Sequence, residues 1–190
     1  MKKEKLISGD YGYINARKKR QLCIVLLWAL VIGAVIGAGW IITGTRLNPA
    51  TVLGIVLVLP AAKAAVGLFL IISYRSGKRE DYDAIVKLAG SGCYVLADLV
   101  LTQYEGAMYI PLAVIRGGNI FAYAPKQKKT SAQIRQYLTL SVKAAGSTAV
   151  PSVDTDFQAF SQRIKKIPAL KEGPSKTDEA IRRDVLSRAV

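Results

Sequence analysis

The chain has 190 residues, and its 27 Lys and Arg against 13 Asp and Glu give a formal net charge of +14. It contains no histidine and only two cysteines, Cys23 and Cys93, which argues against Ser-His-Asp triads, zinc sites and a disulfide framework. Hydrophobic residues make up 51% of the chain, yet Arg46 and Lys63 are the only charged residues between Leu22 and Tyr74. A simple soluble globule does not show this distribution.

Residues 22–74 are predicted to form a transmembrane helical hairpin that follows a basic N-terminal segment, residues 1–21. Leu22–Thr43 is uncharged, and its 22 residues suffice to cross a hydrocarbon core of about 30 Å. Ala50–Tyr74 supplies 25 more, interrupted only by Lys63. A cleaved signal peptide is the alternative for the first segment, but the apolar run is long for one and a second span follows at once.

The distribution of Lys and Arg around the spans predicts their orientation. Seven such residues precede the first span, one lies in the turn, and Arg75, Lys78 and Arg79 follow the second span. Because basic flanks stay inside the cell, both termini are predicted to be cytoplasmic in a multi-pass protein of the cytoplasmic membrane. The same basic residues predict contact with anionic lipid headgroups.

Two features inside the spans are candidate intramembrane contacts. Gly33 and Gly37 form a GxxxG pair, whose small residues let a second helix approach closely, either the second span of the same chain or the first span of a second copy. Lys63 lies midway along its span, three residues after Pro60, which frees a backbone carbonyl. One interpretation is that Lys63 faces a polar cavity, a lipid headgroup or an acidic partner. The alternative is that its side chain extends to the membrane interface.

Residues 75–167 are predicted to form a small cytoplasmic α/β domain of order α-β-β-β-α-β-α. Apolar spacing and Gly-rich turns place these elements at 80–89, 93–102, 107–115, 119–124, 130–145, 147–153 and 154–167. Residues 168–190 read as a polar linker and a last helix capped by Thr177, for which docking on the domain, lying on the membrane and partial disorder are all open.

This element order, together with the stretches 97–101, 108–115 and 118–123, resembles the nuclease-related subgroup of restriction-endonuclease-like proteins. The resemblance implies metal ligands at positions occupied here by Pro111, Ala124 and Lys126, so two carboxylates are missing and the Mg²⁺ cage cannot form. The resemblance therefore implies a non-catalytic relative. Asp98 and Glu105, on the first predicted strand and its turn, are predicted to be surface groups. The string at residues 60–66 is also similar to a small group of bacterial two-span membrane proteins, which implies no mechanism.

A basic cluster precedes the helix predicted at 130–145. Lys126, Lys128 and Lys129, with Arg135 nearby, are candidate anion-binding residues, because lysines and a helix N-terminus together can hold phosphate. The alternative, which we favour, is a solvated loop facing anionic lipid.

The sequence thus favours a non-catalytic, membrane-anchored interaction or regulatory module without a cofactor, in a homo-oligomer or with a membrane-protein partner. The first alternative is a membrane-tethered nuclease or nucleic-acid-binding protein that uses Asp98, Glu105 and Lys126. The second is a small transport or pore subunit in which Lys63 lines a path.

Overall fold

A computed structural model describes residues 6–45, 48–103, 106–125, 130–167 and 173–189. The chain divides into two compact units. Residues 14–74 form one, called the hairpin unit here, and residues 6–13 join residues 75–189 in the other, called the α/β unit. The segment before the first span is thus partly helical and partly a component of the α/β unit.

Two long apolar helices make up the hairpin unit, as the sequence predicts. Helix α1 is Tyr13–Thr43 and helix α2 is Pro49–Ile72, with mean hydropathies of 2.6 and 2.5 in their most apolar stretches. Asn48 caps α2, since its side chain accepts a hydrogen bond from the Thr51 amide at 3.0 Å, and Pro49 occupies the first helical position.

Within the hairpin unit, each helix buries one narrow stripe. The stripe on α2 repeats every three or four residues at Gly54, Leu57, Ala61, Ala64, Leu68 and Ile71. Gly54 lies against α1 so closely that an added methyl group would stand 2.6 Å from Ile36 Cγ1. Nearer the other end, Gln21 Nε2 donates to the Ala64 carbonyl at 2.9 Å. This 3.5-residue spacing is that of helices packed side by side.

The α/β unit follows the predicted order of elements, with a four-stranded mixed sheet. Its elements are α3 (Arg79–Ala89), β1 (Tyr94–Gln103), β2 (Gly106–Arg116), β3 (Asn119–Tyr123), α4 (Ser131–Ala144), β4 (Ser152–Asp154), α5 (Phe157–Lys166) and α6 (Lys176–Ser187). The strand order is β1-β2-β3-β4, with antiparallel neighbours except for the parallel pair β3 and β4.

Three predicted boundaries were wrong, each at a helix or strand start. Strand β4 begins at Ser152 rather than at residue 147, and α5 is capped by Asp156, whose side chain accepts from the Ala159 amide at 3.0 Å. Helix α6 is capped by Ser175 rather than Thr177, in a reciprocal capping box with Asp178. In both helices the residue whose side-chain oxygen reaches the free amides fixes the start.

Both faces of the sheet are covered by helices. Helices α4 and α6 pack on one face and α3 and α5 on the other, each pair over its own hydrophobic core. Ile181 and Val185 of α6 are fully buried, so the last helix docks on the α/β unit, one of the three placements left open by the sequence. Arg116 is buried between the ends of α3 and α5, where its guanidinium donates to the carbonyls of Ala89 and Ile167.

The alternation of side chains along β1 and β2 changes phase at one pair of residues. Leu96 and Leu99 both lie in the core under α4 and α6, although three positions apart they should face opposite sides of a regular strand. Ile110 and Ala113 on β2 do the same. Between them stand Asp98, with φ +53°, and Pro111, which cannot donate a ladder hydrogen bond. The left-handed backbone at Asp98 therefore reverses the faces to which the following side chains of β1 point.

Candidate site: a carboxylate clamp and an adjoining pocket

Asp98 is a buried carboxylate and not the surface group that the sequence predicted. It is 1% exposed and belongs to the edge strand β1. Its backbone lies in the left-handed region, which Asp tolerates better than most residues because its short side chain bonds locally. A charge can be held at such a position only when hydrogen bonds replace its water.

Two chain segments supply those hydrogen bonds. The amide of Gly12, one residue before α1, donates to Asp98 Oδ2 at 2.8 Å. The hydroxyl of Ser76, four residues after α2, donates to the same oxygen at 2.5 Å. One carboxylate thus joins the segment that leads into the hairpin unit to the segment that leads out of it, and we call this arrangement the Asp98 clamp.

Two tyrosines hold the segment that leads out of the hairpin unit, one on either side of Ser76. The Tyr11 hydroxyl donates to the Gly77 carbonyl at 2.9 Å, and the Tyr109 hydroxyl donates to the Arg75 carbonyl at 2.5 Å. The Tyr109 hydroxyl also lies 3.4 Å from Asp98 Oδ1. Residues 75–77 are therefore fixed at three consecutive positions.

Burial and the Asp98 carboxylate keep the Tyr109 hydroxyl protonated. Burial raises the pKa of Tyr109 well above 10, and the negative charge of Asp98 and its hydrogen bond raise it further. Tyr109 consequently stays a hydrogen-bond donor across the physiological pH range.

The segment that leads into the hairpin unit also covers the free edge of β1. The Ala97 amide donates to the Gly9 carbonyl at 2.8 Å, next to Asp98, and Gly9 has φ +96°. A side chain at Gly9 would collide with Leu186 of α6, because an added methyl group would stand 2.9 Å from its Cδ2. At the other end of the strand, Leu101 pairs with Ala189. The edge that an isolated sheet would expose is therefore partly paired.

A cavity of about 220 Å³ opens beside the clamp. Its walls combine three tyrosine rings, two prolines, two cations and one carboxylate, contributed by Tyr11, Arg75, Gly77, Lys78, Asp81, Tyr109, Pro111, Leu112, Tyr123 and Pro125. Arg75 and Lys78 are exposed, whereas Asp81 is half-buried. Burial raises the pKa of Tyr123, and the charges of Asp81 and Asp156 raise it further, so its hydroxyl also stays a donor. The cavity can therefore accept a small polar ligand with an anionic group.

The candidate intramembrane residues lie away from the contact between the two helices. Pro60 and Lys63 are exposed on α2. Around Gly33 and Gly37, no atom lies within 4 Å of an added methyl group, whereas Gly39 and Gly54 meet the facing helix. The packing role of Gly33 and Gly37 thus stays a prediction, and α2 is not the helix that they touch.

Most of the remaining candidates lie outside the described part of the chain. Glu105 and the lysines at 126, 128 and 129 lie outside the described residues, and Arg135 is exposed on α4. Pro111 and Ala124, at the positions where the nuclease resemblance implies carboxylates, are buried. In the ranges that the structure describes, no three Asp, Glu or Cys side chains come together in a group that could hold a metal ion.

Comparison with protein-family models, curated proteins and solved structures finds no match for the chain. The class that the fold defines is a two-helix apolar hairpin joined to a small α/β unit with a four-stranded mixed sheet. The resemblances to nuclease-related proteins and to bacterial two-span proteins remain predictions.

Sequence reasoning missed Tyr11, Gly12, Ser76, Tyr109 and Asp81. One signal was present, because Asp98 is a lone charge within the apolar run 95–101 of a strand that both faces bury. Such a charge must find partners, but the sequence does not say which residues they are. Those partners lie 22 and 86 positions away in the chain.

Proposed function

We propose that this chain is a two-span protein of the cytoplasmic membrane with both termini cytoplasmic. In this proposal, the hairpin unit anchors the α/β unit, which acts as a non-catalytic interaction or regulatory module. The Asp98 clamp is the observation that carries the module role.

The exposed surface of the hairpin unit supports the membrane location. In the most apolar stretch of each helix, 6% of the residues are buried, and many Leu, Ile, Val and Phe side chains are exposed. An apolar surface of this extent is unstable in water and matches the hydrocarbon core of a bilayer. The basic flanks then favour cytoplasmic termini.

The clamp supports a regulatory role because it couples two chain segments to one strand. Gly12 and Ser76 each stand within four residues of a hairpin helix, and both bond the same buried oxygen. A rotation or shift of either helix end would pull on this carboxylate and so on β1. A module that reports the state of the helices to a partner needs such a connection.

A second stripe on α1 supports association with another copy. Cys23, Leu26, Leu30, Gly33, Gly37 and Trp40 follow one another at intervals of three and four residues. They lie on the side of α1 away from the stripe that contacts α2, with open space over both glycines. Close helix approach at small residues is a main cause of association in lipid.

Topology reporters test the anchor. Reporters placed after residue 190 and beside Thr45 in the turn are expected to report the cytoplasm and the opposite side, respectively. Release of the protein by alkaline carbonate, or a C-terminus outside the cell, would overturn the proposal.

Oxidative cross-linking tests the second stripe. In a Cys93→Ser background, Cys23 is expected to form a disulfide-linked dimer in membranes, and Gly37→Leu is expected to reduce it at least about fivefold, since a loss of about 1 kcal/mol in packing changes the equilibrium by that factor. Ala65→Leu, on the exposed side of α2, is the matched control. Equal cross-linking in all three proteins would contradict association through Gly33 and Gly37.

A further inference from the structure

We propose that the cavity beside the Asp98 clamp binds the phosphodiester head group of a membrane lipid with a terminal amine, as in phosphatidylethanolamine. This inference rests on the proposed membrane location. It adds a ligand-binding site and a ligand class.

The first argument is that the cationic wall of the cavity is held in place before any ligand binds. Arg75 and Lys78 belong to the segment that is held by Tyr109 at the Arg75 carbonyl, by Asp98 at the Ser76 hydroxyl and by Tyr11 at the Gly77 carbonyl. A ligand therefore orders two side chains and not a whole loop, which lowers the entropic cost of binding.

The second argument is the charge pattern. Arg75 and Lys78 match a phosphodiester, which carries one negative charge. Asp81 would repel a more highly charged phosphate but can accept hydrogen bonds from an ammonium group. Together these groups fit a ligand that bears both charges.

The third argument is the size and position of the cavity. Its volume of about 220 Å³ is below the range of roughly 300–1,000 Å³ typical of pockets for larger ligands. Arg75 follows Ile72, the last residue of α2, by three positions. Since a chain of three residues spans at most about 10 Å, insertion of α2 into a bilayer brings Arg75, on the wall of the cavity, to headgroup depth.

Calorimetric titration of the full chain in detergent micelles tests the inference. The ligands are short-chain phosphatidylethanolamine, phosphatidylglycerol and phosphatidylcholine, and the water-soluble glycerophosphoethanolamine. We expect saturable binding of phosphatidylethanolamine, with phosphatidylcholine at least about tenfold weaker because its trimethylated amine cannot donate hydrogen bonds.

Two variants separate the contribution of the phosphodiester from that of the amine. Lys78→Gln is expected to weaken all phosphodiester ligands about tenfold, whereas Asp81→Asn is expected to weaken phosphatidylethanolamine and spare phosphatidylglycerol. Lys87→Gln and Asp83→Asn lie on the same helix, are exposed and do not line the cavity, so they should bind like the unaltered chain.

The outcomes distinguish this inference from the proposed function. Absence of saturable binding, or equal binding by all variants, overturns the head-group site while the topology result stands. Binding of glycerophosphoethanolamine without binding of the lipid supports the chemistry of the cavity but overturns a membrane source for the ligand. If the topology test fails, a membrane lipid is excluded as the source of the ligand. The titration with glycerophosphoethanolamine then tests the binding chemistry of the cavity by itself.

Discussion

Removal of the Asp98 carboxylate should destabilise the α/β unit more than any surface substitution. Asp98→Ala leaves the Gly12 amide and the Ser76 hydroxyl without their acceptor. Hydrogen bonds to a charged group contribute about 1.5–3 kcal/mol each, and alanine at a positive φ costs about 1 kcal/mol more. The expected loss in free energy of unfolding is therefore about 4–7 kcal/mol, against a typical total of about 5–15 kcal/mol for a domain.

Two further substitutions at the same position separate the hydrogen bonds from the backbone strain. Asp98→Gly removes the carboxylate but tolerates φ +53°, so it should be about 1 kcal/mol more stable than Asp98→Ala. Asp98→Asn keeps the shape and one acceptor oxygen but offers an amide where two donors converge, and we expect an intermediate loss of about 1–3 kcal/mol.

Urea unfolding of the full chain in micelles, followed by tyrosine fluorescence, measures these differences. Hydrogen exchange at the Gly12 amide gives a local readout, since its protection depends on the Asp98 acceptor. Asp83→Ala, an exposed aspartate of α3, is the matched control and should change stability by less than about 0.5 kcal/mol. If Asp98→Ala behaved like this control and Gly12 stayed protected, the clamp would not hold the two segments.

Three other perturbations have defined outcomes. Gly54→Leu should disrupt the hairpin, because even a methyl group there stands 2.6 Å from Ile36, and cysteine cross-links between α1 and α2 should fall; unchanged cross-linking would refute the close contact. Burial raises the pKa of Asp184, but its interaction with Ser141 and its hydrogen bond and ion pair with Arg188 outweigh burial and lower the pKa. Because this pKa is lower in the folded state, ionised Asp184 stabilises the fold above the unfolded pKa of about 4, and this stabilisation is lost as the pH falls below that value. Hydrogen exchange in α6 should therefore increase at low pH, and Asp184→Asn should abolish this pH dependence. Lys63→Leu should increase membrane insertion in a translocation assay, by about 3 kcal/mol on insertion scales, unless a polar partner already satisfies the ammonium group.

Local patterns in the sequence determined most of the architecture. Two long apolar runs, interrupted only by Lys63, predicted the two long helices, because a run of about 20 such residues defines a helix without any tertiary contact. Apolar spacing and Gly-rich turns likewise fixed the order of the elements in the α/β unit. Boundaries at β4, α5 and α6 were displaced by up to five residues, since they depend on which side chain caps the helix and which strand finds a neighbour.

Only the tertiary structure decided the role of Asp98 and of the residues around the cavity. The sequence shows a charge in an apolar strand, but its donors come from segments far away in the chain, joined by the packing of residues 6–13 and 75–77 on β1. The same holds for Gly33 and Gly37, because the side of α1 that meets α2 follows from the stripe on both helices. Local periodicity determines which elements form, whereas contacts between distant residues determine what each side chain can do.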